Sequence, residues 1–98
     1  QPNAQFFTIQ SITNSTSLPI GQNLVLADAS SGLVEVTLPQ ASLVAGRFNV
    51  VKKTDDTENF VKVLTQGSET IDGNNDFTII NQYTSLTFVS NGLNWFII

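Results

Sequence analysis

Residues 24–39 read LVLADASSGLVEVTLP. Two short apolar runs flank a turn of small and polar residues. In the second run, Val34, Val36 and Leu38 point one way, and Glu35 and Thr37 the other. Alternation with a period of two marks a strand with one buried face and one wet face. Between the runs, Ser30-Ser31-Gly32 reads as a tight turn, with Gly32 free to take positive φ.

Working outward, the same pattern recurs. Short runs rich in Val, Ile, Thr and Phe, separated by Gly, Asn, Asp, Ser and Pro, predict strands. They fall near 6–12, 24–28, 34–38, 47–53, 60–65, 77–81, 84–89 and 94–98. Asp55-Asp56-Thr57-Glu58-Asn59 reads as a polar hairpin loop. Asp72-Gly73-Asn74-Asn75-Asp76 is a turn cluster. Asn91-Gly92 matches a type I′ hairpin turn. Pro39 to Gly46, with Ala and Leu between, predicts one or two helical turns at about 40–45. Residues 13–23 contain Pro19 and Gly21 and read as a long loop. The expectation is one all-β domain over 24–98, a compact antiparallel sandwich or barrel with one short helical turn. Residues 1–23 are expected to be an N-terminal strand with a linker or attachment segment. Opening on Gln1 rather than Met, the chain reads as processed or as part of something longer.

Some strands are apolar on both faces. Val61 and Val63 share one face while Phe60 and Leu64 share the other with Lys62. Trp95 and Ile97 oppose Phe96 and Ile98. Trp95, in the most apolar strand, is expected in the core. A second apolar face needs cover, and exposed apolar patches usually mark interfaces. Phe60, Leu64, Phe96 and Ile98 are therefore the expected homo-oligomer contacts.

Composition narrows the function. The chain has 98 residues, of which 41% are hydrophobic and only 12% charged, about half the usual charged share. Net charge is −4, with Arg47, Lys52, Lys53 and Lys62 the only cations. Phosphate tracking and docking on anionic membranes both need many more, so neither nucleic acid nor membrane is an expected partner. No apolar run approaches the roughly 18 residues of a spanning helix.

With no His and no Cys, neither a Ser-His-Asp or Cys-His arrangement nor a zinc site with nitrogen or sulfur ligands can be built. The scattered glycines form no phosphate loop. Glu35 and Glu69 are carboxylates of the kind a glycosidase pairs, but they read as solvated side chains. Asp72-x-Asn74-x-Asp76 resembles the opening of a calcium loop. It then fails, with Phe77 where Gly is required and Tyr83 where Glu is required. No catalysis, cofactor or metal is expected. Tyr83, near a strand start, is the candidate for surface recognition of a sugar.

The ordered set of elements resembles a family. Asp28 to Ser30, Val36 to Pro39, Gly46-Arg47, Val50 to Lys53, Gly67 to Gly73 and Ser90 to Trp95 are similar to a small β module of bacteriophage tail-fibre, head-fibre and capsid-decoration proteins. The resemblance covers about residues 24–98. It implies a trimeric virion component with no catalytic residues, often at a distal end. The leading expectation is therefore a fibre-tip module for host-surface attachment. Its partners would be itself, other virion proteins and a host-surface glycan. The alternatives are a capsid-decoration or head-fibre protein held through its N-terminal segment, and a carbohydrate-binding module of a secreted protein.

Overall fold

The computed structural model describes residues 8–98. Nine strands follow in chain order: β1 (Ile9–Ile12), β2 (Thr16–Ser17), β3 (Leu24–Ala27), β4 (Val34–Thr37), β5 (Phe48–Lys53), β6 (Val61–Leu64), β7 (Asp76–Ile79), β8 (Ser85–Ser90) and β9 (Trp95–Ile97). Ala41–Leu43 forms a single 3₁₀ turn, shorter than the predicted helical segment. The all-β expectation holds.

The strands form two mixed sheets, ordered β1-β3-β5-β8-β9 and β2-β4-β6-β7. The expected antiparallel arrangement is only half of the architecture. From β1 to β6 the chain alternates between the sheets. It pairs β1, β3 and β5 in parallel, and likewise β2, β4 and β6. Parallel neighbours need a long crossover, and here the strand in the opposite sheet supplies it. β7, β8 and β9 then add antiparallel edges.

This path corrects the predicted Asp55–Asn59 hairpin. β5 and β6 belong to different sheets, so the loop is a bridge between them. Residues 13–23 also differ from a plain linker. They contain β2, and Ile12 and Leu18 are buried in the same core as the rest. The part of the first predicted strand at Phe6 and Phe7 lies outside the described residues.

The inward faces share one core. Val25, Ala27, Val51, Phe88 and Trp95 meet Val34, Val36, Val61, Val63 and Ile79 there. The period-two reading of VEVTL is confirmed, since Val34, Val36 and Leu38 are fully buried. Turn chemistry differs from expectation. Asp72 and Gly73 both take positive φ (50° and 85°), as a type I′ turn requires. Asn91-Gly92 does close the β8–β9 hairpin. However, only Gly92 has positive φ, and the Asn91 carboxamide oxygen accepts from the Leu93 and Asn94 N–H groups.

Candidate functional site

β5 continues its alternation into a charge. Asn49, Val51 and Lys53 point inward, and Lys53 is fully buried. Its ammonium donates to Asp55 Oδ2 at 2.6 Å, the Asp55 carbonyl at 3.1 Å and the Thr57 carbonyl at 3.0 Å. Asp55 Oδ1 accepts from the Ala29 N–H at 2.7 Å, and Oδ2 also accepts from the Thr57 N–H and hydroxyl. Asn59 donates to the Ala29 carbonyl at 2.8 Å. Burial pushes the Asp55 carboxyl upward. The hydrogen bonds from Lys53, Thr57 and Ala29 outweigh it and hold the group well below the usual carboxylate range. The network bolts residues 55–59 to the 28–32 turn.

One end of the molecule is shaped by that bolted loop. A cleft of about 570 Å³ lies between residues 56–60 and 80–82. Continuing the Val61–Ile79 register by one residue sets Phe60 beside Ile80, and these are 44% and 53% exposed. Asp56, Glu58, Asn81 and Gln82 line the rest. Tyr83 follows directly, exposed and held at φ 64°. Its N–H donates to the Lys53 carbonyl at 2.7 Å. The Lys52 ammonium donates to its carbonyl at 3.0 Å and lies 5.6 Å from its ring centre.

A second surface is the outer face of the five-stranded sheet. Phe48, Val89 and Phe96 stand in one cross-strand row. Leu24, Val50 and Ile9 stand in the next with Thr87, and Ile98 extends it through its N–H to the Thr87 carbonyl. Lys52 is the only charged side chain at these outward strand positions. The outer face of the other sheet is polar. There Glu35, Lys62 and Thr78 align, as do Ser17, Thr37, Leu64 and Asp76.

The four expected contact residues therefore do not form one surface. Phe96 and Ile98 share the apolar face. Leu64 stands on the polar one, because β6 belongs to the other sheet, and Phe60 lines the end cleft. Phe48, Val50, Leu24 and Val89 were missed, although their parity with buried Asn49, Val51, Val25 and Phe88 would have placed them outward. Trp95 is fully buried, as expected of core.

The carboxylates singled out in the sequence stand in separate settings. Glu35 sits opposite Lys62. Glu69 accepts from the Ala41 N–H at 3.1 Å, and its Oε1 and the Trp95 Nε1 are buried with no hydrogen-bond partner among the described residues. Asp72 Oδ1 accepts from the Ile97 N–H at 3.2 Å, closing the β9 edge. Among the described residues, no group of three or more acidic, His or Cys side chains is placed to hold a metal ion. No protein-family model matches the chain, and no curated protein matches it.

Proposed function

We propose that this chain is a non-enzymatic structural module of a bacteriophage virion that works as a homo-oligomer, a trimer in line with its sequence resemblance, in host-surface attachment. One observation carries the assembly reading. The outer face of β1-β3-β5-β8-β9 carries two mainly apolar rows and no carboxylate, with Ser11, Leu26, Lys52 and Ser85 in a third row, whereas the outward strand positions of the other sheet are mostly polar. Parallel strands are normally covered on both faces. Two copies of an acidic chain also approach best where neither presents an acid. The sandwich form of the body is supported by two open sheets, one shared core and a shortest dimension of 20 Å.

Five strands spaced about 4.8 Å apart and three to six residues long give a face of roughly 350 Å². At about 25 cal/mol per Å², covering it contributes at most roughly 9 kcal/mol per subunit, against about 4–15 kcal/mol for association. Assembly should therefore depend on concentration. Light scattering after size exclusion, over a concentration series, tests it. The expected result is a species above the 10.6 kDa monomer that approaches a trimer. Phe96→Asp should dissociate it, since an unpaired carboxylate there is costly to bury. Leu64→Asp, on the polar face, should not. A monomer at every concentration, or equal sensitivity of both variants, overturns the assignment.

A further inference from the structure

The end cleft between residues 56–60 and 80–82 has the lining of a ligand site, and neither the core nor the apolar sheet face accounts for it. Phe60 and Ile80 lie side by side in its lining and stay half exposed. A ring and an aliphatic chain kept in water beside each other offer a flat apolar platform. Around them stand two side chains that only accept hydrogen bonds, Asp56 and Glu58, and two amides that both donate and accept, Asn81 and Gln82. Gln82 Nε2 donates to the Thr54 carbonyl at 3.2 Å, which orients the amide. The volume, about 570 Å³, falls within the ordinary range of small-molecule sites, about 300–1,000 Å³.

Both walls are held before any ligand arrives. One hangs on the buried Lys53–Asp55–Thr57 network and the Asn59 bond to Ala29. The other is tied to the end of β5 through the Tyr83 N–H to Lys53 and the Lys53 N–H to the Thr84 carbonyl. A site fixed in this way loses little freedom on binding. Tyr83, in a left-handed conformation that a bulky residue rarely adopts, follows the second wall in sequence.

We infer that this cleft binds a neutral or amino sugar, with one face of the ring on Phe60 and Ile80 and its hydroxyls on Asp56, Glu58, Asn81 and Gln82. A sugar is the ligand class with one apolar C–H face and a rim of groups that both donate and accept. Acidic sugars are disfavoured by the two carboxylates, which add like charge at short range. The inference deepens the surface-attachment reading and rests on it for its role. Multiple copies in an assembly would raise the avidity of a weak single site.

The test is a ¹⁵N–¹H NMR titration of the full chain with maltotriose, lactose, chitotriose and glucosamine. Sialyllactose serves as the acidic probe and an arginine-rich peptide as the rival class. At least one neutral or amino probe should shift the amides of 56–60 and 80–83 in a saturable manner. Phe60→Ala should weaken that binding by about fivefold to tenfold, as expected for loss of an aromatic platform. Gln82→Ala, which leaves the platform intact, should also weaken it. Well-dispersed spectra show that each variant is folded. No shift with any neutral or amino probe overturns the inference. So does binding of sialyllactose or the peptide alone, or binding unchanged in both variants. A chain that assembles but binds no probe removes the cleft and leaves the assembly reading standing, and a monomer that binds does the reverse.

Discussion

Asp55→Ala should be the most damaging single polar substitution in the molecule. Lys53 and Asp55 are buried, with side-chain exposures of 0% and 4% and a 2.6 Å contact. All three ammonium donors are used, and the carboxylate also satisfies the N–H groups of Ala29 and Thr57. Removing one partner of such a pair leaves an uncompensated buried charge and costs about 3–5 kcal/mol. A domain of this size is stable by only about 5–15 kcal/mol in total. At about 4–8 °C per kcal/mol, the melting temperature should fall by roughly 12–40 °C. Urea unfolding followed through the single, fully buried Trp95 measures the change directly. A loss below about 1 kcal/mol, the ceiling for exposed pairs, would refute the view that this network joins the two sheets.

Acid offers an independent check, because the folded-state pKa of Asp55 lies below its unfolded value. Its contribution is complete above about pH 4 and is lost as pH falls toward the folded pKa. The stability gap between the native chain and Asp55→Asn should therefore narrow below about pH 4 in urea titrations. Ser90→Ala should cost about 1–3 kcal/mol, since the buried hydroxyl donates to the Ala41 carbonyl at 2.7 Å and accepts from the Gly92 N–H. Gly73→Ala should cost about 1 kcal/mol through backbone strain alone, because φ is +85° and no atom lies within 4 Å of the added Cβ. Glu35→Ala, on the polar face opposite Lys62, should change stability by less than about 0.5 kcal/mol. Thermal melts of the three variants check these values.

Period-two alternation was enough to read most of the strands and part of the core, because facing depends only on parity along one strand. Val34, Val36, Leu38, Val61 and Val63 fall on one face of their strands on that basis, Trp95 is expected in the core from its apolar strand, and all are buried. The absence of His and Cys likewise excluded whole classes of chemistry before any fold was known. Pairing partners were not legible. Asp55–Asn59 has the composition of a hairpin loop, and only its bonds to Ala29, far away in sequence, show that it crosses between sheets. Lys53 shares parity with Val51, yet burying a charge depends on Asp55 and the Thr57 carbonyl arriving together, which no local pattern announces. The surfaces follow the same division. Phe60, Leu64, Phe96 and Ile98 stood out strand by strand, whereas Phe48, Val50, Leu24 and Val89 did not. Strand order in space decided that Phe96 joins Phe48 and Val89, that Leu64 stands among polar neighbours, and that Phe60 meets Ile80 in the lining of a cleft. Local alternation is a property of one strand, whereas a surface is a property of neighbours, and the crossovers between the two sheets choose those neighbours.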